Sequence, residues 1–122
     1  MSAIEITPEL LQEVKDYLDI TWEDETTDRK LKGQIRRGIA FIADKTGVDR
    51  TAETFSGESG DDRAQTLLLN YLLYDRAGAL DQFVKNYRSE IIGLKLVVDV
   101  KRHPVDLSGK PSGPLILRGG DS

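Results

Sequence analysis

The sequence predicts an all-α fold: a small bundle of about four helices, with a long loop between helices two and three and an extended C-terminal tail. Three observations predict it. Apolar residues recur at three- and four-residue steps, start and stop signals flank those runs, and beyond residue 103 the composition changes abruptly to Pro and Gly. The expected division is a helical domain over residues 1–100 and a Pro/Gly-rich tail over residues 101–122. With 122 residues and 39% hydrophobic content, the chain fits one compact core.

Thr7 before Pro8 and Glu9 reads as a helix start, because the Thr side chain accepts from an early backbone N–H and Pro at the first helical position loses nothing. The first helix is expected over Pro8 to Asp19. Leu10, Leu11, Val14, Tyr17 and Leu18 form its core stripe, while Glu9, Gln12, Glu13, Lys15 and Asp16 are expected to face water.

An acidic connector with Glu23, Asp24 and Glu25 leads into a second run where Leu31, Ile35, Ile39 and Ile42 recur at helical spacing. This helix is expected to start between Asp24 and Asp28, where acids oppose the dipole, and to stop at Gly47 after Lys45. Gly33 and Gly38 inside it suggest close approach of a neighbouring backbone, since each costs about 1 kcal/mol relative to Ala, with helix packing as the plain explanation.

From Val48 to Gly60 the periodicity disappears and a structureless loop is expected, with Phe55 its one large apolar residue. Asp61 and Asp62 open a third helix to Arg76, in which Leu67, Leu68, Leu69, Tyr71, Leu72, Leu73 and Tyr74 leave almost no polar face. Such a helix is either central in the core or turned toward a second subunit, with Tyr71 and Tyr74 as candidate contacts. Gly78 breaks the run, and Leu80, Phe83, Val84, Tyr87, Ile91 and Leu94 predict one fourth helix through Lys95. Residues 96–100, rich in Val, fit helix or strand equally. Seven Pro or Gly among the last 19 residues exclude a helical tail, which still carries an apolar island at Leu115, Ile116 and Leu117.

Composition narrows the chemistry. Seventeen basic against 21 acidic residues give a net charge of −4, against a dedicated nucleic-acid or anionic-membrane binder. Without Cys there is no disulfide framework or thiolate site, as suits a reducing cytoplasm, and His103 is the only His. No catalytic residue, metal or cofactor is expected. Residues 1–10 lack a basic and apolar leader pattern and no stretch is apolar enough to span a bilayer, so neither a secretion signal nor membrane insertion is expected. Arg29, Lys30, Lys32, Arg36 and Arg37 form a basic group that reads as a solvated face paired with the acids before it, or as a phosphate-binding patch. Residues 1–28 hold one Lys against nine acids, so the two charge blocks can complement each other between subunits.

The order of features resembles the head-tail connector, or adaptor, proteins of long-tailed phages. A first helix ends in Val14-Lys15-Asp16-Tyr17-Leu18-Asp19-Ile20, an acidic turn follows, and a helix carrying Leu31, Ile35, Ile39 and Ile42 ends at Asp44-Lys45-Thr46-Gly47. The variable loop, the run Leu72-Leu73-Tyr74-Asp75-Arg76, and the helix with Phe83, Tyr87, Ile91 and Leu94 complete a resemblance over Glu9 to Val100. The family's second helix has a more acidic start than Thr26-Thr27-Asp28-Arg29-Lys30-Leu31 here. The resemblance implies a ring of about twelve copies under the portal protein in the neck of the virion, assembled in the bacterial cytoplasm. Each copy would bridge portal and tail-completion or stopper protein, and DNA would pass through without sequence-specific binding. On this reading His103, Val105, Leu107, Leu115, Ile116 and Leu117 dock the tail on a neighbour. Arg29, Lys30, Lys32, Arg36, Arg37, Tyr71 and Tyr74 are candidate subunit contacts, and Glu23, Asp24 and Glu25 candidate channel-facing acids.

Overall fold

Thr7 starts the first helix as its side chain predicts. In the computed structural model, which describes residues 4–57 and 60–102, its hydroxyl accepts from the Leu10 amide at 3.2 Å and opens α1 (Pro8–Tyr17). The helix ends two residues earlier than its pattern suggests. Asp19 takes a positive φ of 61°, and the Ile20 amide turns back to the Lys15 carbonyl at 2.8 Å.

The Asp24 carboxylate caps α2 (Glu25–Thr46), accepting from the Thr27 amide at 2.9 Å and its hydroxyl at 2.8 Å. Gly47, left-handed at φ 87°, closes the helix by donating to the Ala43 carbonyl. Leu31, Ile35, Ile39 and Ile42 are all buried, and the helix contacts both the third and the last helix of the bundle. Gly38 is needed for that packing, but what crowds it is side chain. A Cβ there would stand 2.7 Å from Leu68 Cδ1 and 2.9 Å from Tyr71 Cδ1. The expected close backbone approach is thus corrected, and at Gly33 the nearest neighbour is the Arg37 guanidinium at 3.7 Å.

The segment expected to be structureless is anchored. Ala52, which precedes a 3-10 turn over Glu53–Phe55, and Phe55, which ends it, are buried, and Phe55 plugs into the core beneath the third helix. Apolar burial at these two positions outweighs the polar composition around them. Gly60 returns the chain: its amide donates to Ser56, and a Cβ on it would collide with the carbonyls of Glu53, Thr54 and Ser56.

Asp61 caps α3 (Asp62–Arg76) through the Arg63 and Ala64 amides. Of the two alternatives for this helix, burial of Ala64, Leu67, Leu68, Tyr71 and Leu72 selects a central core position. The predicted fourth helix is two, α4 (Leu80–Asn86) and α5 (Arg88–Arg102), broken at Tyr87. Tyr87 leaves the helical range there, at φ −110° and ψ 15°; its ring stacks on Phe83 one turn back at 5.0 Å, and Asn86 donates to the Tyr74 hydroxyl of α3 at 3.1 Å. Residues 96–100 are helical, and α5 continues through Arg102.

Among the described residues the fold is five α-helices and no strand, an all-α bundle. Its aromatic centre joins Phe41, Tyr71, Phe83, Tyr74 and Tyr87, with ring centroids 5.0–6.3 Å apart and mostly edge-on or tilted. No described helix is long and apolar enough to cross a membrane.

Candidate assembly surface

The basic group lies on the face of α2 turned away from the core. Arg29, Lys30 and Arg37 are exposed, whereas Lys32 and Arg36 are half-buried. Arg36 has a local task, since its Nε donates to the Ile4 carbonyl at 2.9 Å and pins the segment before α1. The expected pairing with the preceding acids is not what forms. Asp28 pairs with Lys15 on α1, and Asp24 is occupied by its cap. Among the described residues none of the five cations lies within ion-pair distance of a carboxylate. Three further acids of the candidate set are exposed: Glu23, Asp24 and Glu25. The hydroxyl and amide bonds from Thr27, with Arg29 and Lys30 nearby, hold the Asp24 carboxyl below its ordinary range.

Tyr71 is a correction. Its ring is buried between Gly38, Phe41 and Phe83, which removes it from any subunit contact, and burial followed by the Asp75 charge raises its phenol above the ordinary value. Tyr74 is half-buried, with its hydroxyl accepting from Asn86. The tail candidates His103, Val105, Leu107, Leu115, Ile116 and Leu117 lie outside the described residues.

Sequence reasoning missed a second apolar stripe on α5. Leu94 is buried, and Ile91 and Val98 are partly buried against the core. Ile92, Leu96 and Val100, one turn apart on the opposite side, are 51%, 59% and 57% exposed. The i, i+4, i+8 spacing was visible, but two apolar stripes on one helix merge into a continuous run and hide which faces inward. Trp22, in the acidic connector, is 54% exposed as well.

Next to α5 lies an open groove of about 400 Å³ between that helix and the first turns of α3. Leu67, Leu94 and Tyr87 line its apolar side, Gly93 its wall, and Asp62, Arg63 and Glu90 its charged edge. Burial, then Tyr74, Tyr17 and Glu90, raises the Tyr87 phenol above its ordinary value. Among the described residues no group of three or more metal-ligating side chains is assembled. Comparison with family models, curated proteins and solved structures finds no match to this chain.

Proposed function

We propose that this chain is a structural virion protein, a head-tail connector that assembles as a ring beneath the portal of a long-tailed phage. It links the portal to tail-completion proteins, extends the DNA channel and has no catalytic turnover. The observation that carries the reading is the outward stripe of Ile92, Leu96 and Val100 on α5. Three large apolar side chains in one row, each more than half exposed, suit a helix that a neighbour covers. A ring needs two different faces per subunit, because its contacts are heterologous. The cations of α2, with no carboxylate in ion-pair reach among the described residues, supply a second face, and the exposed Glu23 and Glu25 of the next copy are its chemical complement. The resemblance over Glu9 to Val100 supports the same role.

The test is affinity purification of the tagged full-length chain from phage-producing cells, beside a variant carrying Ile92→Ser, Leu96→Gln and Val100→Thr. Portal and tail-completion proteins should accompany the parent and be lost from the variant, which keeps its helical circular dichroism. Recovery of neither from the parent overturns the connector role.

A second reading, a small nucleic-acid-binding or regulatory module, draws on the same basic face. It requires a strongly salt-dependent DNA affinity. Since Arg36 also holds Ile4, the discriminating substitutions are Arg29→Gln, Lys30→Gln and Arg37→Gln. DNA affinity that disappears in this variant would favour the module.

A further inference from the structure

Nothing within the described chain accounts for Gly93. It sits inside α5, where Gly weakens a helix relative to Ala, and a Cβ added there would meet nothing within 4 Å. Gly38 is crowded by α3; a side chain at Gly93 would meet none of the described residues. The space beside it is the groove between α5 and α3, whose base is the core itself, since Leu67 and Leu94 beneath it are almost wholly enclosed. An apolar concavity kept open by an absent side chain is the shape of a receptor for one delivered from elsewhere.

The sequence offers that side chain nearby. α5 ends at Arg102, about 13 Å from Gly93 at the α-helical rise. Twelve residues, 103–114, separate Arg102 from Leu115 and can span about 40 Å when extended, about three times the distance required. Leu115-Ile116-Leu117 is the one run of three consecutive large apolar residues after Arg102, and Arg118 follows it directly. The groove edge carries two carboxylates, Asp62 and Glu90, against the single cation Arg63, so a guanidinium arriving beside an apolar plug meets opposite charge. The short tether keeps the local concentration of the plug in the millimolar range.

We propose that the Leu115–Leu117 segment folds back and seats in the α3–α5 groove of its own chain, its side chains filling the space over Gly93 and Arg118 facing Glu90. The docking is intramolecular and does not depend on the connector role.

The chain has no Cys, which makes directed cross-linking clean. In the full-length protein, Thr66→Cys on the groove and Ile116→Cys in the tail should form a monomeric disulfide at a rate independent of protein concentration. Pairing Ile116→Cys instead with Lys30→Cys, on the outward face of α2, should be slower by about ten-fold, as should Thr66→Cys with Gly93→Phe added. Equal rates for the Thr66 and Lys30 pairs overturn the proposal, and so do cross-links that form only between chains. A second readout leaves the groove untouched. Replacing Leu115 and Leu117 with Ser in the full chain should move the methyl resonances of Leu67 and Leu94, and unchanged resonances overturn the docking.

Discussion

The ammonium of Lys15 stands 2.6 Å from Oδ1 of Asp28, joining α1 to the first turn of α2 across the acidic connector. The Lys15 side chain is only 8% exposed, although its helix pattern turns it toward water. Oδ1 of Asp28 is shielded from solvent and makes no aligned hydrogen bond, so the 2.6 Å contact is held by charge attraction. Removing the cation strands a shielded carboxylate oxygen. Lys15→Met should cost about 1–3 kcal/mol in urea unfolding, below the figure for a fully buried pair because Asp28 is 31% exposed. Adding Asp28→Asn should recover most of the loss, and a Lys15→Met protein as stable as the parent would refute the account.

Two glycines of α2 should respond in opposite directions to the same substitution. Gly38→Ala places a methyl 2.7 Å from Leu68 Cδ1, and overpacking of about 1–3 kcal/mol exceeds the helix-propensity gain of about 1 kcal/mol. Gly33→Ala meets only ordinary contact with Arg37 and should stabilise by about 0.5–1 kcal/mol. Urea midpoints of the two variants test the pair, and midpoints moving the same way would contradict the packing described for Gly38.

Asp24 gives the fold an acid-sensitive cap. Its carboxyl titrates below the ordinary 3.8 because Thr27 donates to it twice, with Arg29 and Lys30 adding attraction. A folded value depressed below the unfolded one stabilises the fold fully above 3.8, and that contribution is lost as pH falls through the folded value. The difference in melting temperature between the parent and Asp24→Asn, which keeps a neutral capping acceptor, should therefore shrink as pH drops from neutral to below 3.8. A constant difference would show that charge plays no part in the cap.

Glu13 ties three elements together from what reads as a water-facing position. Both its oxygens lie 3.1 Å from the Gly57 amide, and the Gln65 side chain donates to it at 3.0 Å. Glu13→Ala should cost about 1–2 kcal/mol and accelerate amide exchange at Gly57, whereas Glu13→Gln, which retains an acceptor, should restore most of the protection. Unaltered exchange in the Ala variant would assign the anchoring of this segment to Phe55 alone.

Local signals were legible where the physics is local. Thr7, Asp24 and Asp61 cap their helices, Gly47 ends α2, and the spacing of Leu31, Ile35, Ile39 and Ile42 marks its buried face. The bend at Tyr87 was hidden because Phe83, Tyr87 and Ile91 keep helical spacing through it and no Pro or Gly marks the break. The Asn86–Tyr74 bond and the edge-on packing of Tyr87 on Tyr74 reach across to α3, and no local pattern encodes them. For the same reason Lys15 and Glu13, polar and outward by periodicity, proved to be ties between elements. Of the candidate surface, the basic residues of α2 were legible as a cluster. Burial of Tyr71 and exposure of Ile92, Leu96 and Val100 depend on which side of each helix meets the core, which composition leaves open.

At the end of α5, Arg102 donates from Nη2 to the Gly47 carbonyl at 2.6 Å and lies 3.7 Å from Asp49. The last described residue is thus fastened to the C-terminal end of α2. Tension applied through the tail enters the body at two points, along the axis of α5 and sideways into the end of α2. A chain pulled from its tail would load this exposed hydrogen bond and ion pair together with α5.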